Sequence, residues 1–195
     1  MAKTLASHTF IARGTSNAAF TQLTGCSVTR SGTTATLTKT SHGRSNGDKV
    51  LIQGFSLEEF NGVFTVANAA TNTFDYTIKQ DPGANPSGTP GTVDLVTLGT
   101  ALDCTAGYGG RIYGGIQNGT TGPGVAPEVW LGTSTTSTEA DYVWRLIGGG
   151  DTTANSWSPI FIGIDQAVGY VNIAICRNTT QAVDVFALGE QITGV

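Results

Sequence analysis

Apolar residues alternate with threonine or charged residues through much of the chain, which is the pattern of β-strands with one buried face. Turn-forming residues separate the alternating segments of the first half, as in Ser45-Asn46-Gly47-Asp48 and Asn61-Gly62. The candidate for helix is a single turn at residues 56–60. The pattern predicts a small β-barrel-like module with strands in TATLTKT (34–40), KVLIQGF (49–55), GVFTVAN (62–68) and TFDYTIK (73–79).

The second half contains further short strand patterns, which are separated by loops rich in Gly, Thr, Ser and Asn. Their number is typical of a β-sandwich or jelly roll. We therefore predict an all-β protein whose C-terminal part is a jelly-roll-like β-sandwich. Its predicted strands are VDLVTLGTALDC (93–104), GRIYGGIQN (110–118), APEVWLGTS (126–134), DYVWRLIGG (141–149), SPIFIGID (158–165), GYVNIAICR (169–177) and AVDVFALGEQITGV (182–195).

The segment Asp81–Gly91 contains three of the six prolines, so it can extend neither a strand ladder nor a helix. A domain boundary at this segment predicts a small module at residues 26–92 and a sandwich at residues 93–195. One long hairpin loop within a single domain is the alternative. Residues 1–25 are predicted to form an N-terminal arm, either a frayed end or edge strand of this chain, or an extended segment that pairs with a neighbouring subunit.

Composition makes the predicted surface neutral and rich in hydroxyl groups. Only 12% of the residues are charged, whereas there are 27 glycines and about 30 threonines, as expected of tight turns and of strands whose outward positions are threonine. A net charge of -4 provides no basic field for a phosphate backbone, so we predict no nucleic-acid partner. No apolar run approaches the length that crosses a bilayer, so we also predict no membrane partner.

Candidate catalytic and metal-binding residues form no recognisable constellation. His8 and His42 have no supporting nucleophile motif, and three widely spaced cysteines indicate buried thiols made in a reducing cytosol, with a Cys104–Cys176 bridge as the alternative. The adjacent carboxylates at residues 58–59 diverge in any regular backbone. We predict no enzymatic activity, no cofactor and no metal, since calcium-loop spacing is also absent around the loop carboxylates Asp141, Asp151 and Asp165.

The three tryptophans all lie in the C-terminal half, and aromatic side chains serve both cores and ligand platforms. Trp130 and Trp144 share a strand face with other strand-interior positions, which favours a core or a subunit interface over a surface that stacks on sugar rings. Apolar residues of the predicted arm are further candidates for contacts between subunits. The interface candidates are Phe10, Ile11, Phe20, Trp130, Trp144 and Trp157.

Residues 42–76 resemble a small β module that recurs in structural proteins of tailed bacteriophages. The resemblance is carried by four elements in order, namely His42-Gly43, GDKVLIQG (47–54), FNGVFTV (60–66) and TFDY (73–76). Physically this is a three-strand unit with turns at Gly47-Asp48 and Asn61-Gly62. Its predicted apolar face consists of Val50, Ile52, Phe64, Val66, Phe74 and Tyr76.

The C-terminal half is similar to β-sandwich domains attached to phage head and tail proteins, through RIYGGIQNGTTGPGVAPEVWLG (111–132) and GYVNIAICRNTTQAVDVFALGE (169–190). Together the two resemblances imply a virion component. Its size favours a capsid decoration or cement protein, made in the host cytoplasm and located on the capsid surface. Such a protein binds the major capsid protein and itself, as a homo-dimer or homo-trimer. The alternative is a tail-fibre, tail-tip or adaptor component whose sandwich binds a host glycan.

Overall fold

The computed structural model describes residues 4–88, 90–164 and 169–194. These residues form an all-β fold, which confirms the predicted class, and the described helix is confined to the 3₁₀ turns Glu58–Phe60 and Glu139–Asp141. The strands are β1 (Thr4–Asn17), β2 (Leu23–Ser31), β3 (Thr34–Thr38), β4 (Lys49–Gln53), β5 (Gly62–Thr65), β6 (Thr73–Thr77), β7 (Gly91–Leu98), β8 (Leu102–Asp103), β9 (Gly110–Asn118), β10 (Glu128–Ser134), β11 (Val143–Gly149), β12 (Trp157–Ile164), β13 (Tyr170–Cys176) and β14 (Val183–Gly194).

The chain divides into two compact units. Unit 1 comprises Met1–Phe20, Thr97–Ser137 and Tyr142–Val195, and unit 2 comprises Thr21–Val96 and Thr138–Asp141. These limits differ from the predicted domains. The N-terminal segment up to Phe20 belongs to unit 1 instead of forming an arm of its own. Unit 2 begins at Thr21, continues past the proline-rich segment to Val96, and includes Thr138–Asp141 from within the predicted sandwich.

Strand β7 explains why unit 2 extends beyond the predicted boundary. Its register places Val93 opposite Ile52 of β4. Both side chains are fully buried in the same apolar cluster. The proline-rich loop before β7 also belongs to unit 2, where Asp81 forms an ion pair with Arg30 of β2 at 2.7 Å.

Unit 1 is a β-sandwich, as predicted for the C-terminal part of the chain. One sheet has the strand order β1-β14-β9-β12, and the other contains β11-β10-β13 with the short β8 beside β13. All of these pairings are antiparallel. Side chains from both sheets form one buried apolar cluster, which includes Ile112, Ile116, Val129, Ile160, Val171, Ile173, Ile175, Val183 and Val185.

Unit 2 is built from antiparallel strands in the order β5-β4-β7-β2-β3-β6, around a second apolar cluster. It is not a closed barrel, which corrects the barrel-like prediction. Between β5 and β6 the described pairing is reduced to the isolated bridge of Ala67 with Asp75. The physical reason is that β5 pairs with β4 and β6 pairs with β3, and among the described residues no ladder joins β5 to β6.

Strand β1 is an edge strand that pairs with β14 of the same chain, which is one of the interpretations that the sequence leaves open. Phe10 and Ile11 are both buried, although neighbours in a regular strand face opposite sides of the sheet. A register shift between Thr9 and Ile11 accounts for this, because a bulge changes which side successive residues face. The same shift removes the alternation from the sequence pattern of this segment.

Candidate functional site

The segment of residues 42–76 forms a substantial part of the core of unit 2. Its predicted turn before β4 is present, since Gly47 has φ 91° and the Ser45 backbone N–H donates to Asp48 Oδ2 over 2.9 Å. The residues of its predicted apolar face share a single buried cluster. They are Val50, Ile52, Phe64, Val66, Phe74 and Tyr76.

His42 has a structural role that the sequence pattern did not reveal. Its ring is buried against Phe74 in an edge-to-face contact, with ring centroids 5.2 Å apart. Nδ1 accepts the backbone N–H of Arg44 at 2.9 Å, so Nε2 carries the proton and donates to the Thr73 carbonyl at 3.1 Å. The imidazole therefore ties the turn after β3 to β6, and both ring nitrogens are engaged.

The outward side of β2, β3 and β6 is a grid of hydroxyl groups, which we call the hydroxyl face. In register across the three strands, Ser31, Thr34 and Thr77 form one row of this grid. The central row ends in the one carboxylate of the face, Asp75, which accepts a hydrogen bond from Thr36 Oγ1 at 2.7 Å. The face consists of Ser27, Thr29, Ser31, Thr34, Thr36, Thr38, Thr73, Asp75 and Thr77.

The outward side of the sheet β1-β14-β9-β12 carries a group of aromatic side chains, which we call the aromatic face. Phe161 of β12 is 73% exposed and stands opposite Tyr113 of β9, which stands opposite Leu188 of β14. Trp157 at the start of β12 is 46% exposed. The aromatic face consists of four aromatic residues and one adjacent apolar residue, namely Tyr113, Trp157, Phe161, Phe186 and Leu188.

Gly115 of β9 provides the space in which Trp157 lies. A Cβ atom at Gly115 would be 2.2 Å from Cζ2 of the indole, far inside contact distance. The indole also stacks on Phe186 with ring centroids 5.4 Å apart and planes inclined by 27°, and the guanidinium of Arg13 lies 4.0 Å from the Phe186 centroid. The Trp157 ring thus contacts both the strand β9 and the Phe186 ring, while 46% of the residue remains exposed.

The predicted interface residues separate into buried, half-buried and exposed groups. Phe10 and Ile11 lie in the core of unit 1, and the N–H of Phe20 donates to the Asn178 carbonyl at 2.9 Å. Trp130 and Trp144 are half-buried in unit 1. Of the six candidates, Trp157 is the one that the structure places on an exposed surface.

Two contacts hold the half-buried tryptophans of unit 1 in place. Trp130 Nε1 donates to Glu128 at 3.0 Å. Trp144 stacks on Tyr142 with ring centroids 5.8 Å apart. Both rings are therefore engaged with side chains of their own unit.

Potential catalytic groups are engaged in structural contacts. Besides His42, His8 Nε2 lies 2.9 Å from the Thr100 carbonyl, and burial raises the pKa of the Cys26 and Cys104 thiols. Hydrogen bonds from Ser156 and the backbone of residue 153 lower the pKa of the Asp151 carboxyl, which closes a turn. Within the described ranges no group of three His, Cys, Asp or Glu side chains could hold a metal, and Asp165 lies outside those ranges.

The part of the chain that the structure describes contains no helix that is long and apolar enough to span a membrane. No known family and no curated protein matches the sequence. Solved structures match weakly. A cleaved adhesin domain of Lys-gingipain from Porphyromonas gingivalis has 16% identity over 98% of this chain and 99% of its own, with a TM-score of 0.39.

Two further solved structures are similar at the same low level. A carbohydrate-binding module of the β-sandwich superfamily has 11% identity over 90% of this chain and 97% of its own, with a TM-score of 0.34. The structure of infectious bursal disease virus Gt strain has 9% identity over 97% of this chain and 58% of its own, with a TM-score of 0.36. An adhesin domain, a carbohydrate-binding module and a virus protein are therefore among the neighbours, at values that identify neither a family nor a function.

Proposed function

We propose that the chain is a non-enzymatic virion protein of the tailed-phage type that decorates the capsid, and that it binds the major capsid protein through the hydroxyl face of unit 2. The observation that carries this proposal is the hydroxyl face itself, which adjoins the phage-like three-strand segment through β6. It presents eight hydroxyl side chains and one carboxylate on three adjacent antiparallel strands. A copy bound in this way lies on the capsid surface of the virion.

The chemistry of the hydroxyl face suits attachment to a large protein shell. Threonine is restricted at χ1, so little side-chain entropy is lost when such a surface is covered. Each hydroxyl both donates and accepts, and an intermolecular hydrogen bond that replaces one to water stabilises a complex by about 1 kcal/mol. Many weak contacts of this kind, repeated over a lattice in a homo-dimer or homo-trimer, give strong attachment without ion pairs.

Binding to heads that lack decoration tests the proposal. Purified protein should co-sediment with such heads and saturate at a copy number that matches a capsid symmetry axis. Thr34→Glu places a charge within the hydroxyl face, and burying that charge against the shell should weaken binding by about tenfold or more. Thr152→Glu is the matched control, because Thr152 is an exposed threonine of unit 1, and its binding should equal that of the wild type.

Three outcomes would contradict decoration. If the folded protein does not sediment with heads, the capsid is not its partner. Equal loss of binding in Thr34→Glu and Thr152→Glu shows that the hydroxyl face is not the contact. Unchanged binding in Thr34→Glu leads to the same conclusion.

A second candidate is a tail-fibre, tail-tip or adaptor component that contacts the host surface through unit 1. The aromatic face favours it, because the rings of Trp157 and Phe161 are exposed and are not part of the apolar core of unit 1. Sedimentation with purified tails instead of heads distinguishes this candidate from a decoration protein. Binding to tails that survives Thr34→Glu would favour it.

A further inference from the structure

We propose that the aromatic face of unit 1 is a binding site for neutral glycans, in which a pyranose ring stacks on Trp157. This inference goes beyond capsid attachment and does not depend on it, since the two proposals use faces of different units. It concerns a site that holds a ligand without transforming it.

The geometry of Trp157 is that of a platform. The indole lies against Gly115, where a Cβ atom would be 2.2 Å from the ring, and it stacks on Phe186 with ring centroids 5.4 Å apart. The C–H bonds on one side of a pyranose ring carry partial positive charge, and the face of an aromatic ring is negative. An indole that is held by these contacts and is 46% exposed can therefore accept a sugar with little ordering on binding.

The exposed area of the Trp157 and Phe161 rings is of the size that a small ligand covers, and these two rings alone are too small to form a protein interface. Trp157 and Phe161 are 46% and 73% exposed, so together they present on the order of 300 Å² of surface. A stable protein interface buries about 800 Å² on each partner. The strands β12, β9 and β14 are adjacent and together span about 10 Å, which is the scale of one or two sugar rings.

The charges around the aromatic face favour an uncharged ligand. On the outward side of the same sheet the described residues place two cations and two carboxylates, and the charges cancel: Arg13, Arg111, Asp184 and Glu190. Arg111 and Glu190 neutralise one another in an ion pair at 2.6 Å. Arg13 lies over Phe186, and Asp184 is two residues away on the same side of β14. A guanidinium donor and a carboxylate acceptor near the platform are suited to the hydroxyl groups of a neutral sugar.

Binding of the full chain to an array of neutral and sialylated oligosaccharides tests the inference, followed by titration of the best neutral ligand in solution. We expect saturable binding of neutral oligosaccharides that Trp157→Ala weakens by about tenfold or more. Val143→Ala is the matched control, because Val143 is an apolar residue of β11, in the other sheet, that is 69% exposed. Gly115→Ala should weaken binding as Trp157→Ala does, because the new methyl group displaces the indole while Trp157 itself is retained.

Circular dichroism and the melting temperature establish that each variant is folded before binding is measured. The inference is overturned if no neutral oligosaccharide binds at about millimolar concentration. It is also overturned if binding survives Trp157→Ala, if sialylated ligands are preferred, or if sedimentation velocity shows self-association that Trp157→Ala abolishes. Capsid attachment is unaffected by any of these results, because Trp157→Ala should leave co-sedimentation with heads unchanged.

Discussion

His42 shows how one buried polar side chain stabilises an irregular segment. The segment between β3 and β4 does not belong to a strand. The imidazole of His42 holds this segment in place through hydrogen bonds with the backbone of Arg44 and Thr73. A buried polar group of this kind stabilises the fold because both nitrogens have partners, and its removal leaves backbone groups without them.

We predict that His42→Ala lowers the free energy of unfolding by about 2 to 4 kcal/mol, because a buried ring and two hydrogen bonds to the backbone are lost. Urea unfolding followed by circular dichroism measures the change. His8→Ala is the control, since His8 is only half-buried and its contact with Thr100 is exposed, and it should cost less than about 1 kcal/mol. Equal effects of the two substitutions would contradict the structural role of His42.

Strand β1 forms although its sequence does not alternate between apolar and polar residues, because it packs on the core of unit 1. Because of the bulge next to Phe10, the side chains of two consecutive apolar residues both point into the core of unit 1. The aromatic ring of Phe10 also occupies space beside Gly189 of β14, where a Cβ atom would be 2.7 Å from Cε2 of that ring. Both contacts lie within one chain, so β1 contributes to the stability of the monomer.

We predict that Phe10→Ala lowers the free energy of unfolding by about 3 to 5 kcal/mol, as for other buried phenylalanines. Leu5→Ala on the same strand should change it by less than about 0.5 kcal/mol, because Leu5 is 61% exposed. Unfolding measured over a range of protein concentrations checks the prediction. A Phe10→Ala effect that appears only at concentrations where the protein is oligomeric would show that β1 pairs with a neighbouring subunit instead.

At the scale of the whole molecule, charge is scarce and apolar packing is divided between two cores. Only 12% of the residues are charged, with a net charge of -4. Each unit has its own cluster of buried apolar residues. We therefore expect that contacts with a partner come mainly from hydroxyl groups and apolar surface.

We predict that attachment to heads is insensitive to salt. Raising NaCl from about 50 mM to about 500 mM should change the dissociation constant by less than about threefold, because few interfacial ion pairs are available for screening. Co-sedimentation at each salt concentration measures this, and the melting temperature controls for salt effects on the fold. A loss of affinity of more than about tenfold would mean that ion pairs carry the attachment.

The sequence pattern alone predicted the fold class and four strands of unit 2, but it missed β2 and assigned β7 to the sandwich. Period-2 alternation is a local property, so it identified β3, β4, β5 and β6 and the apolar face that they bury. The abundance of threonine with few charges also predicted outward hydroxyl positions, which the structure places on the hydroxyl face. These features depend on residues close to one another in the chain.

The neighbours of each strand and the aromatic residues that stay exposed could not be read from the sequence, because both depend on long-range pairing. Gly115 and Trp157 are far apart in sequence, and the antiparallel register of β9 with β12 brings them together. Likewise, the pairing of β1 with β14 at the other end of the chain converts a predicted arm into an edge strand. The alternation of apolar and polar residues predicts that one face of a strand is covered. Long-range pairing determines what covers that face and which face remains exposed.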